Sequence, residues 1–187
     1  MKIKDLKQKN TKELQVLLAE KHKALASSSL IPDNDDSVLL TTAGMQQFKP
    51  YFLSQKDPVK DFGAKSVTTI QKSFRTSDID EVGDMSHLTF FEMLGNFSFG
   101  EYWKADAIDM AWEFLTKKMH LPASRLWVTV FAGDADVPAD TEAAKAWLKH
   151  VPPERIVHCG RADNFWGPPG KSGSCGPSSE IHVQLVD

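Results

Sequence analysis

The chain has 187 residues, a formal net charge of −3, 41% hydrophobic and 25% charged residues. That is enough for one full domain with a real core, or a domain plus a short arm, and it is the balance of an ordinary globular protein rather than a globally basic nucleic-acid binder. Two cysteines, Cys159 and Cys175, with no CxxC pair exclude a disulfide scaffold, and no apolar run approaches the ~18 residues a membrane span needs, so the expected location is cytoplasmic.

Residues 1–26 read as one basic amphipathic helical arm. Asn10 and Glu13 resemble a capping box, Leu14, Leu17, Leu18 and Leu25 share a helical face, and seven lysines from Lys2 to Lys23 make the arm distinctly basic. Docking on the domain with a solvated lysine face is one reading, and contact with RNA phosphates is the other. The remainder, residues 27–187, reads as one α+β domain. Val38 to Thr42 has the composition of a buried strand, Ala43-Gly44-Met45 allows close approach of backbone or a small ligand, and Gln46 to Leu53 suits a short helical turn. Ser54 to Lys65 is polar and reads as a loop.

Ser66 to Phe74, rich in β-branched residues, reads as a strand that delivers Arg75 at its end. Thr76 to Met85 carries four acids and must be exposed. Leu88 to Met93 reads as the returning strand, ended by Gly95-Asn96, with Phe90 in the core. Glu101 to His120 follows a helical period, Leu126 to Phe131 is a buried strand, and Asp140 to His150 is a helix with Thr141 as cap. Ile156 to Cys159 is a short strand, Gly160 to Pro177 a Gly/Pro-rich loop, and Ser179 to Val186 an alternating strand. Strands with inserted helices in this order predict a mixed, mainly antiparallel sheet flanked by helices.

An arginine at a strand end, beside an acidic loop, suits an anionic ligand, because guanidinium can fork onto phosphate and carboxylate oxygens together. A surface salt bridge is the plainer reading of the same residue. Phe91, taken alone, reads as core. Trp166, in a Gly/Pro-rich loop, is either a packing plug or the wall of a small pocket.

The blocks TTAGMQQFKPYF, TFFEMLGNFSFG, RLWVTVF, DNFWGPPG and GSCGPSSEI resemble the N-terminal catalytic region of the alanyl-tRNA synthetase family, class II aminoacyl-tRNA synthetases, over roughly residues 27–182. The resemblance implies ATP-dependent activation of alanine to alanyl-adenylate for transfer to tRNA(Ala). It makes Arg75 the arginine that meets the α-phosphate and the alanine carboxylate, His87 the contact to the distal phosphates, and Phe91 the platform for adenine. It places Met45 and Trp166, with Arg75, around the alanine. Glu180 would contact substrate or help hold the Mg²⁺ that accompanies ATP, or else serve as a buried structural carboxylate. Thr76 to Met85 would be the loop reaching ATP and the tRNA acceptor end. The family's third motif and its zinc-bearing editing domain would lie beyond Asp187, so the resemblance implies a catalytic domain incomplete at its C-terminal side, with no zinc in this segment and a sheet edge that would invite homo-oligomers. The alternative is a catalytically incomplete synthetase-like paralogue acting as a nucleotide- or RNA-binding protein.

Overall fold

The β-branched run at 67–70 forms the strand its composition predicts. β1 spans Ser66–Phe74 and pairs antiparallel with β2, Phe90–Ser98, with Thr69 opposite Gly95 and Phe74 opposite Phe90. The computed structural model describes residues 28–32, 39–77, 79–84, 87–167 and 173–185. The basic arm over residues 1–26 lies outside them. The described residues divide into two compact units, one ending at Glu101 and one beginning at Tyr102.

In the first unit β2 runs through Gly95-Asn96 instead of turning there. A Cβ on Gly95 would lie 2.6 Å from the Phe97 ring. The glycine therefore makes room for that ring, which in turn packs 4.6 Å from the ring of Phe48. Tyr51, Phe62 and Phe99 extend the cluster around Phe48. Phe90, expected in the core, is 48% exposed, because the strand alternation that half-buries Phe91 turns its neighbour to the other face.

Residues 39–42 are not a strand. Leu39 is almost fully exposed, and the Thr41 main chain bonds Leu30 and Phe74 one group at a time. A 3₁₀ turn, Gln46–Phe48, runs into α1, Lys49–Phe52, as the sequence suggests. The expected loop 54–65 contains a helix, α2, Pro58–Phe62. Asp57 caps it by accepting from Val59 and Lys60 N–H, Pro58 fits the first turn, and Gly63 ends it at φ +72°.

In the second unit α3 spans Lys104–Glu113, β3 Leu126–Phe131, α4 Thr141–Trp147 and β4 Ile156–Cys159. After these come α5, Arg161–Asn164, then β5, Phe165–Trp166, β6, Gly176–Pro177, and β7, Ser179–Val183. β3 is central, parallel to β4 and antiparallel to β7, and β5 pairs antiparallel with β6. Val128 and Val130 of β3 pack with Ile108 of α3 and Ala143, Ala146 and Trp147 of α4. Removing these side chains from water drives the packing at roughly 25 cal/mol per Å² of apolar area. The expected helix to His120 stops being α at Glu113 and continues as a π turn, Phe114–Lys118, where Thr116 Oγ1 bonds back to the Trp112 carbonyl. The cap of α4 is Asp140 rather than Thr141, since its carboxylate accepts from Ala143 N–H and from Lys104 Nζ. The architecture is mixed α+β with mainly antiparallel pairing, as expected. No described helix is long and apolar enough to cross a membrane.

Candidate functional site

Arg75 follows directly on β1, and its N–H donates to the Thr89 carbonyl, which continues the hairpin ladder by one rung. Its side chain is half-buried and held from two sides. Nε donates to the Thr42 carbonyl at 3.0 Å, and Cζ lies 5.3 Å from the centre of the Phe91 ring. Phe91 stands opposite Ser73 in the register, so the two strands carry ring and guanidinium to the same end of the hairpin. Among the described residues no side chain is bonded to the terminal guanidinium nitrogens. A cation held by its inner nitrogen and by a ring face has its bidentate edge oriented in advance for an anion.

Met45 sits in the turn that supplies the Thr42 carbonyl. Gln46, nearly fully buried, accepts from Thr42 and Ala43 N–H, and the Gly44 N–H points at the Met93 sulfur at 3.4 Å. The turn thus rests on the hairpin, and Met45, half-buried, is carried with it.

The acidic loop is exposed where described, with a 3₁₀ turn at Ile79–Glu81. His87 closes it. Its Nδ1 lies 2.6 Å from one Asp84 carboxylate oxygen, and its N–H donates to the other. The loop therefore ends in a braced imidazole. Asp84 three residues before His87 is a recognisable side-chain turn pattern that reading the loop only as a run of acids overlooks.

Trp166 and Glu180 belong to the second unit. Trp166 is 45% exposed on β5, so it is not a packing plug. Phe165 fills that role: its ring lies 3.9 Å from the Arg161 guanidinium and 5.4 Å from the Phe131 ring. Arg161 also binds Asp134 through Nε and Nη2, both at 2.7 Å. Asp134 accepts from Asp136 and Val137 N–H as well, and the Arg161 bond, followed by these two, holds its carboxyl at about 2. At the other end of the turn, buried Asn164 donates from Nδ2 to the Ser178 carbonyl and accepts the Ser178 N–H at its own carbonyl. Trp166 is thus presented by a turn tied at both ends. Glu180, on β7 opposite Thr129, is exposed, which removes the buried-carboxylate reading. Cys159 and Cys175 are both free.

The structure brings Arg75 against Phe91 and ties it to the Met45 turn. Gln46, Asp84, Asp134 and Asn164 are the polar residues that sequence reasoning missed, because each acts through a bond that exists only once the chain turns.

The family described as tRNA synthetases class II (A) matches residues 14–186. The chain is 55% identical over 162 residues to an alanine–tRNA ligase of Rubrobacter xylanophilus, a stretch that is 86% of this chain and 18% of that protein. It is 56% identical over 165 residues to the alanine–tRNA ligase of Dehalococcoides mccartyi, covering 88% of this chain and 18% of the relative. With the alanine–tRNA ligase of Borreliella afzelii it shares 46% over 175 residues, 92% of this chain and 29% of the relative. The chain spans less than a third of the length of each of these relatives.

Proposed function

This chain belongs to the class II (A) tRNA synthetases, and from that membership we propose that it carries the ATP- and alanine-binding part of an alanine–tRNA ligase. The reaction joins the alanine carboxylate to the α-phosphate of ATP and expels pyrophosphate, giving alanyl-adenylate for transfer to tRNA(Ala) in the cytoplasm. A carboxylate oxygen attacks phosphorus as the bond to the bridging oxygen of pyrophosphate breaks. Negative charge then crowds on the phosphoryl oxygens, and a pre-aimed cation lowers that barrier without reorganising.

The observation that carries this reading is the aim of Arg75. Its inner nitrogen is spent on Thr42 and its face on Phe91, which leaves the fork for phosphate and carboxylate. In this proposal Phe91 stacks on adenine, His87 meets the distal phosphates, and Met45 and Trp166 bound the alanine methyl. The exposed carboxylate of Glu180 supplies oxygen donors of the kind Mg²⁺ accepts, and that ion is held mostly by the substrate's own phosphates. Mg²⁺ would neutralise charge on the departing pyrophosphate. The exposed loop after Arg75 reaches ATP and the acceptor end of tRNA.

Alanine-dependent exchange of pyrophosphate into ATP tests the reading. Exchange by this chain should exceed background and fall by on the order of a hundredfold or more in Arg75→Ala. Absence of exchange together with absence of ATP binding by calorimetry would overturn it.

A further inference from the structure

We propose that Gln46 is a positioning residue, setting Arg75 and Met45 through a single peptide plane. The inference deepens the function proposed above and rests on it for its catalytic consequence, though not for its geometry.

Gln46 is 7% exposed, and its Oε1 accepts three bonds, from Thr42 N–H at 2.5 Å, Ala43 N–H at 3.2 Å and the Thr42 hydroxyl at 3.4 Å. Among the described residues these are the only bonds to the two amides. Both amides are part-buried and take that oxygen as their acceptor, so losing it leaves two partly desolvated N–H groups unpaired, at a cost of up to about 1–3 kcal/mol for each. The Ala43 N–H and the Thr42 carbonyl belong to one planar trans peptide and point in opposite directions. Gln46 holds the N–H end. Arg75 Nε holds the carbonyl end at 3.0 Å. Fixing the first direction fixes the second, and hence the line along which the guanidinium approaches the Phe91 ring. Met45 is in the same turn, whose 3₁₀ continuation is closed by the Phe48 N–H on the Met45 carbonyl. Beneath it, Gly44 leaves no slack: a Cβ there would lie 3.2 Å from Thr69 Oγ1. Without the Gln46 oxygen, the 42–43 peptide can rotate, and both substrate-facing side chains lose their reference.

The test uses the whole chain and two readouts. The first is solvent exchange of the Arg75 Nε–Hε signal by NMR, assigned with Arg75→Lys. The second is alanine-dependent pyrophosphate exchange. Gln46→Leu removes the acceptor, Gln46→Asn keeps an amide that is one methylene too short, and Gln46→Glu retains the acceptor. Leu and Asn variants should speed Hε exchange and lower kcat/KM for alanine, each by on the order of tenfold. The alanine KM should rise more than the ATP KM, because Met45 meets only alanine. The Glu variant keeps the acceptor oxygen, so its Hε exchange should stay near wild type. Were Gln46→Leu to fail to fold, the Asn and Glu variants decide. A folded Leu or Asn variant with the Arg75 Hε signal still protected overturns the inference, even if its melting temperature falls. Should the wild type show no pyrophosphate exchange, the proposed function falls while the Hε comparison still judges Gln46.

Discussion

In β3 the side chains with no solvent access are Leu126, Val128, Val130 and Phe131; in β1 those fully or almost fully buried include Thr68, Thr69, Gln71 and Ser73. Both strands are interior, yet the fully buried positions of β3 are all apolar, whereas β1 sets the bonded side chains Thr68, Gln71 and Ser73 beside buried Val67 and Ile70. Apolar contact is non-directional and rewards filling space. Hydrogen bonds reward direction. Thr68 bonds the Gly95 carbonyl and Asn96 across the hairpin, while Gln71 bonds Ser28, Gln47 and the Lys72 carbonyl. The bonded strand is the one that ends at Arg75. Under the proposed function a strand that positions a cation gains more from direction than from area, whereas β3 anchors the helices of its unit and gains more from area.

Substitutions that treat the two strands alike should have unlike effects. Trp147→Ala should be the most destabilising, by about 3–5 kcal/mol, since it empties a fully buried site against β3 and leaves Ser179 without its indole donor. Urea unfolding measures it, and the alanine KM of the remaining folded protein should not move. Gln71→Leu conserves volume but strands its partners, and should cost about 1–3 kcal/mol. A loss as large as that of Trp147→Ala would mean β1 is held by packing after all. Thr69→Val should reverse the sign. Thr69 Oγ1 is buried with no bond and lies between the positions of Gly44 and Gly95, where it acts as filler. Replacing it with a methyl should leave stability unchanged or raise it by about 1 kcal/mol.

The same contrast explains what could be read before folding. β1 and β3 were legible with their ends, because β-branched composition and burial coincide there, and β4 was legible from its short apolar start although Val157 is exposed. α2 was legible in principle through Asp57, Pro58 and Gly63, but its polar surface hid the caps inside what looked like a loop. The strand expected at 38–42 failed because an apolar run does not by itself supply a pairing partner, and Leu39 remains in solvent. Gly95-Asn96 looked like a turn because the Phe97 ring that needs the glycine is known only in three dimensions. Among the site residues Arg75 announced itself by charge at a strand end. Phe91 took its role from the family resemblance, since composition alone pointed to core. Gln46 gave no signal, as a glutamine reveals its acceptor role only when the turn closes around it.

Asp134 tests whether direction also matters within the packed unit. It joins Arg161, on the helix that leads to Trp166, to the Asp136 and Val137 amides of its own turn. Its carboxyl is held at about 2, first by the Arg161 bond and then by the Val137 and Asp136 amides, against an ordinary value of 3.8. A carboxylate depressed on folding contributes stability that is fully present above the unfolded value and is lost as pH falls through the folded one. The contribution should therefore be intact above about pH 4 and should drain away towards pH 2. Denaturation of the wild type and of Asp134→Asn across that window should give curves that differ at pH 5 and converge towards pH 2. The gap should be the smallest of these effects and should shrink with added salt, because the ion pair is partly solvated. Convergence identifies Asp134 as a titrating clamp on the Trp166 turn. A gap that persists unchanged to pH 2 would instead place its value in the uncharged hydrogen bonds, and the packed unit would then owe nothing to charge at this turn.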